Sequence, residues 1–136
     1  MKFKKLHEDA QLPTRQTAGA AGYDLHSIEA GAVTAISVFR TGVAVEIPPG
    51  HVGLIQDRSG LAVKKGVTHL AGVIDADYRG ELHVALSCVH DNYPQVAAGD
   101  RIAQLVVVPC VMEDSGWVDE LSDTHRGDGK FGSTGQ

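Results

Sequence analysis

A chain of 136 residues has room for one hydrophobic core and none for separate catalytic and cofactor domains. At 43% apolar and 21% charged residues it has the composition of a folded globular protein, which excludes the disordered, collagenous and disulfide-scaffold classes. Twelve Lys and Arg against 17 Asp and Glu give a formal net charge of -5, so bulk charge offers nucleic acid no hold and any polyanion must meet a local basic site.

The N-terminal MKFKKLHEDA carries a charge cluster with no apolar run behind it, and nowhere do 18 apolar residues follow one another. Neither a leader nor a membrane span is expected, and the location expected is cytoplasmic, or the host cytoplasm for a viral chain. Short β-branched stretches then recur at 33–39, 42–47, 51–56, 81–89 and 101–111, punctuated by Pro48, Pro49, Gly50, Gly99, Asp100 and Pro109. That pattern predicts an all-β sandwich or barrel. One short helical turn is predicted to start at Ser59 as N-cap and to stop at Gly66. Cys88 and Cys110 lie in apolar runs without CxxC spacing, so both are expected as buried thiols in a reducing compartment. The organisation expected is a β domain over 1–122 and a flexible, Gly-rich arm over 123–136.

Four segments could carry chemistry. In the arm, Arg126 offers a fork of donors, Gly127 and Gly132 allow close backbone approach, and Ser133 and Thr134 add hydroxyls, a set suited to phosphate. Phe131 supplies a flat face for stacking a base. A frayed terminus is the alternative reading of the same composition. In DRSGLA at 57–62, Arg58, Ser59 and Gly60 stand at a helix start, where unpaired N–H groups favour an anion; a capped turn with a surface arginine is the alternative. GVIDADYRGEL at 72–82 gathers Asp75, Asp77, Arg79 and Glu81 around Tyr78, either a carboxylate-bearing catalytic turn or a charged hairpin tip. Asp24, in AGYDL at 21–25, suits a turn, a cap or a partner for magnesium-bound water. Seven histidines form no HExxH or HxH pattern, and neither GxSxG nor GxxxxGK[ST] occurs, so zinc, serine-hydrolase and P-loop chemistry are excluded.

In order and spacing, AGYDL, DRSGLA, GVIDADYRGEL, GDRIAQLVV at 99–107 and RGDGKFGSTG at 126–135 resemble the homotrimeric dUTPase family. The resemblance implies a jelly-roll-like β-clip subunit, three subunits per molecule, and magnesium-dependent hydrolysis of dUTP to dUMP and pyrophosphate. It implies no nucleic-acid or membrane partner. By the same resemblance Asp75 is the general base, and Tyr78 packs under the deoxyribose and excludes a 2′-hydroxyl. Arg58, Ser59, Gly60 and Gln104 contact the phosphate chain, and Asp24 holds a magnesium-bound water. Arg126 meets the γ-phosphate, Phe131 stacks on uracil, and Gly132, Ser133 and Thr134 close over the phosphates. Main-chain groups of a hairpin around 67–74 read the uracil. Two positions depart from the family pattern: Asp57 where proline is common, with its charge expected near the phosphates, and Lys130 where glycine is usual. A dCTP deaminase of the same fold and a nucleotide-sensing regulatory protein are the competing functions.

Overall fold

The computed structural model describes residues 1–128. Eleven strands and one helix are described: β1 (Lys2–Lys5), β2 (Tyr23–His26), β3 (Gly31–Ala32), β4 (Ser37–Arg40), β5 (Val43–Glu46), β6 (His51–Asp57), α1 (Ser59–Lys65), β7 (Val67–Leu70), β8 (Val73–Ile74), β9 (His83–Cys88), β10 (Gln95–Val96) and β11 (Arg101–Pro109). The strands form an antiparallel four-stranded sheet in the order β2-β11-β6-β8, a three-stranded sheet β4-β9-β7, and two strand pairs, β1-β5 and β3-β10. None of the described sheets closes into a barrel, and the arrangement is a jelly-roll-like sandwich.

Alternation explains the core. Along β9, Val84, Leu86 and Cys88 point inward while His83, Ala85 and Ser87 face outward or half-outward, which is the two-residue period of a strand buried on one face. Leu105 and Ile102 on β11, Leu25 on β2 and Ile55 on β6 join the same cluster from the larger sheet. Their removal from water is the main driving force for holding the two sheets together.

The sequence pattern finds β5, β6, β9 and β11 but misjudges several details. The stretch 33–39 is not one strand, because Ser37 Oγ donates to Ala32 O at 3.0 Å and accepts the Thr34 N–H at 2.9 Å, closing a turn before β4. β11 ends at Pro109, so Cys110 lies exposed beyond it and only Cys88 is buried. Residues 110–128 contain no strand or helix and are exposed. The N-cap of α1 is Arg58 and not Ser59: the Arg58 carbonyl accepts from both Leu61 and Ala62 at 2.9 Å, which places Ser59 in the first helical turn. Gly66 ends the helix at φ 64°, a left-handed conformation that favours glycine.

Candidate active site

Three of the segments singled out in the sequence converge on β11. Gln104 stands opposite Asp24 on β2 and opposite Gln56 on β6, and its Nε2 donates to the Asp57 carbonyl at 2.8 Å. A Cβ on Gly22 would occupy the space of the Gln104 side chain, so glycine is what lets the amide lie there. The β11-β2 register shifts between Arg101 and Ala103, and Arg101 reaches the same carboxylate as Arg58. Asp24 is 3% exposed, with Oδ1 accepting from Arg58 Nη1 and Oδ2 from Arg101 Nη1 at 3.3 Å. A carboxylate so buried needs such partners.

Burial pulls the His26 pKa below its ordinary value, with Arg101 and Arg58 acting in the same direction against Asp24. His26 Nδ1 is buried without a hydrogen-bond partner.

Arg58 and Gly60 line a cleft of about 350 Å³ together with Lys64, Lys65 and Arg101, against the single acid Asp100. This is a local basic patch of the kind a polyanion would need on an acidic chain. Ser59 and Gly60 lie exposed at the helix start beside it. Sequence reasoning missed Arg101, Lys64 and Lys65. The available signals were two adjacent lysines in the last turn of a short helix and an arginine opening the strand after Gly99-Asp100.

The 72–82 segment builds a different place. β8 pairs with β6 and β7 pairs with β9, so 67–74 is no paired hairpin but a crossing between the two sheets, with Ala71 at φ 60° and Gly72 at φ 114°. The turn that follows ties itself: Tyr78 N–H donates to Asp75 O at 3.1 Å, and Tyr78 Oη donates to Glu81 O at 2.9 Å. Arg79 Nη1 donates to Ala76 O at 2.7 Å, so this arginine stabilises the loop backbone. Exposed Asp75 and Tyr78 line a second cleft of about 200 Å³ with Ile74, Leu82 and His83. Glu81 is a clasp: Arg40 and the Gly42 N–H hold its carboxylate. Burial opposes ionisation of Glu81, but hydrogen bonds from Arg40 and Gly42 prevail and hold it below the ordinary glutamate range.

Asp57 does not face the basic cleft. Its carboxylate turns to β7, where it accepts from His69 and Thr68. The carboxylate of this departure from the family pattern is thus engaged by His69 and Thr68. Arg126 sits in an exposed turn over 125–128. The sites expected at Phe131, Gly132, Ser133 and Thr134, and the Lys130 departure, lie outside the described residues. Among the described residues no three His, Cys, Asp or Glu side chains gather as a metal site, and no helix is long and apolar enough to cross a membrane.

The dUTPase family profile matches residues 8–135. This chain belongs to the dUTPase family. It is 48% identical over 134 residues to a deoxyuridine 5'-triphosphate nucleotidohydrolase of Paramecium bursaria Chlorella virus 1, covering 97% of this chain and 95% of the relative. A Picosynechococcus relative with the same name is also 48% identical, with 99% and 98% covered. Among solved structures, a mutant dUTPase of Staphylococcus bacteriophage 80alpha with dUpNHpp superposes with a TM-score of 0.90 at 33% identity, covering 99% of this chain and 98% of that one. A mutant dUTPase of Staphylococcus aureus phage phi11, described with a structural Mg(II) ion, gives a TM-score of 0.78 at 31% identity over 88% of this chain and 96% of that one. The dUTPase family thus accounts for nearly the whole chain, the segment over 126–135 included.

Proposed function

We propose that this dUTPase family member hydrolyses dUTP to dUMP and pyrophosphate, with water activated by Asp75 attacking the α-phosphorus. The observation that carries this reading is the separation of two complementary half-sites on one acidic chain. One is a basic cleft around Arg58 and Arg101, and the other is a carboxylate-and-tyrosine cleft around Asp75 and Tyr78. The first suits a triphosphate and the second a sugar with the attacking water. The enzyme is a dUTP diphosphatase, as its relatives are named. In the cell this activity limits uracil incorporation into DNA and supplies dUMP for thymidylate synthesis.

Each residue has a part. Arg58, Ser59, Gly60 and Gln104 bind and orient the phosphate chain, and buried Asp24 fixes the guanidinium of Arg58 while Arg101 braces it from the other side. Asp75 takes the proton of the attacking water, for which exposure to the cleft and to solvent is required. The Tyr78 ring, held at its hydroxyl by Glu81 O, fills the volume a 2′-hydroxyl would need. Main-chain groups over 67–74 read the uracil. Arg126 meets the γ-phosphate, Phe131 stacks on the base, and Gly132, Ser133 and Thr134 close over the phosphates, excluding bulk water.

The donor set fits magnesium carried in by the nucleotide and does not fit a resident metal. Asp24 has both oxygens engaged by arginine, and among the described residues no three His, Cys, Asp or Glu side chains gather around a metal position. Asp24 would meet the ion through a bound water, the phosphates supplying direct ligands. When bound, magnesium neutralises triphosphate charge.

The two clefts are separate on one chain, which supports a homotrimer in which Asp75 and Tyr78 of one subunit face the Arg58 cleft of another. Val111, Met112, Trp117, Val118 and Leu121 are exposed along the strandless segment, apolar surface suited to burial against neighbouring subunits. No membrane or nucleic-acid partner is called for, and the location proposed is cytoplasmic.

The test is product analysis with dUTP, dTTP, dCTP and UTP in the presence of magnesium. Pyrophosphate and dUMP from dUTP alone is the expected result. Orthophosphate and dUDP would remove Asp75 from the α-phosphorus, and ammonia from dCTP would mark a deaminase. Asp75→Asn should keep nucleotide binding and lower turnover by about 10² to 10⁴, the range for losing a general base.

A further inference from the structure

β7 is an edge strand, paired only with β9. Edge strands leave alternate N–H groups without a ladder partner. At His69 that donor goes to a side chain: Asp57 Oδ1 accepts the His69 N–H at 2.6 Å and His69 Nδ1 at 2.8 Å, and Asp57 Oδ2 accepts the Thr68 hydroxyl at 3.1 Å. An ionised carboxylate only accepts, so His69 Nδ1 is the donor of this bond. Burial opposes ionisation of Asp57, but the His69 and Thr68 donors outweigh it and hold the carboxyl below the ordinary aspartate range.

Asp57 is also the last residue of β6, directly before Arg58, and its carbonyl oxygen accepts from Gln104 Nε2 at 2.8 Å. A second tie to the crossing segment runs from Ile55 N–H to Gly72 O at 2.8 Å. One residue thus binds the start of 67–74 through its side chain and Gln104 through its main chain. An apolar side chain at this position would offer no acceptor to His69 and Thr68.

We propose that Asp57 is a positioning residue that locks the base-contacting segment 67–74 against the phosphate-contacting Arg58 and Gln104, and so sets substrate affinity and base discrimination and not the chemical step. It acts through His69 and Thr68 and touches no substrate. The inference rests on the base and phosphate roles proposed above for 67–74, Arg58 and Gln104.

The experiment compares the full-length enzyme with Asp57→Ala, Asp57→Asn and Arg58→Ala in steady-state kinetics on dUTP and dCTP, with hydrogen exchange read at the His69 amide. Asp57→Ala should raise KM for dUTP about tenfold, the scale of losing hydrogen bonds to a charged acceptor, with kcat within about twofold of the parent. The dUTP preference over dCTP should fall, and His69 amide exchange should accelerate. Asp57→Asn keeps one acceptor oxygen and should recover most of the affinity. Unchanged KM and unchanged preference in Asp57→Ala overturn the proposal, whether or not Tm falls. If Asp57→Ala does not fold, Thr68→Val and His69→Phe remove the hydroxyl and ring donors to Asp57 while leaving the His69 N–H in place. A rise in KM in both supports the lock, and anything less in either overturns it. Arg58→Ala separates the two levels: an impaired Arg58→Ala beside a normal Asp57→Ala sinks only the Asp57 role, whereas an unimpaired Arg58→Ala sinks the phosphate site itself.

Discussion

One Glu81 oxygen grips the Arg40 guanidinium, Nη2 at 3.0 Å and Nε at 3.3 Å, and the other takes the Gly42 N–H at 2.8 Å. The next residue repeats the attachment, Thr41 Oγ1 donating to Leu82 O at 2.6 Å and Leu82 N–H to Val43 O at 2.8 Å. The loop carrying Asp75 and Tyr78 is therefore moored at its C-terminal end to the β4-β5 connection.

Glu81→Gln should lower Tm by a few degrees and reduce kcat/KM, because a neutral amide holds Arg40 less strongly than a carboxylate. The pH dependence has a definite sign. Glu81 is held below its ordinary value of 4.5, so its stabilising contribution is present above that pH and is lost as pH falls through the lowered value. Urea unfolding of the variant at pH 7 and at pH 3 should show a smaller loss on acidification than the parent. An equal loss in both would refute the clasp.

Gly80 is required by Tyr78. A Cβ at position 80 would collide with the tyrosine hydroxyl and ring, so Gly80→Ala must push the ring out of its place. If Tyr78 packs under the deoxyribose as proposed, the variant should lose discrimination between dUTP and UTP while the fold persists, as should Tyr78→Ala. Competition assays with the two nucleotides check this, and an unchanged preference in both variants would deny Tyr78 the role.

His26 should make stability fall in mild acid. Its lowered pKa means that the unfolded chain binds the proton more readily than the folded one, so stability declines as pH drops below about 6.5 toward the folded value. The neighbours are Asp24, which favours protonation, and Arg58 and Arg101, which oppose it. His26→Gln should flatten the decline between pH 7 and pH 5, measured by urea midpoints. A decline as steep as the parent's would assign it to other groups.

Much of this was legible beforehand where a pattern was local. β9 and the Gly66 stop are legible in the sequence, because a strand face and a left-handed cap leave marks within a few residues. The donors to Asp57 come from 11 and 12 positions further along, a pairing no short window contains, so the sequence shows its charge but not its partners. The crossing at 67–74 looked like a hairpin for a similar reason: which sheet each half joins is decided by β6 and β9, not by the turn. Asp24 reads as a turn, a cap or a partner for magnesium-bound water, whereas its burial between Arg58 and Arg101 joins residues 34 and 77 positions away.

Sharing of the site between subunits gives the most demanding prediction. Arg58 and Asp75 line different clefts of one chain, and we propose that the arm beyond Asp123 reaches a third subunit's site. A chain without its arm can then still lend Asp75 to a neighbour, and an Asp75→Asn chain can still lend its arm. Each variant alone should be nearly inactive. When equal amounts are unfolded and refolded together, a working site needs an intact Asp75 from one particular neighbour and an intact arm from the other. Each requirement is met half the time, so about one quarter of sites should recover. Native mass spectrometry establishes that mixed trimers have formed, and pyrophosphate release counts the working sites. Mixed trimers with no activity above the separate variants would mean that Asp75 and the arm act from the same chain, and the shared-site arrangement would be wrong.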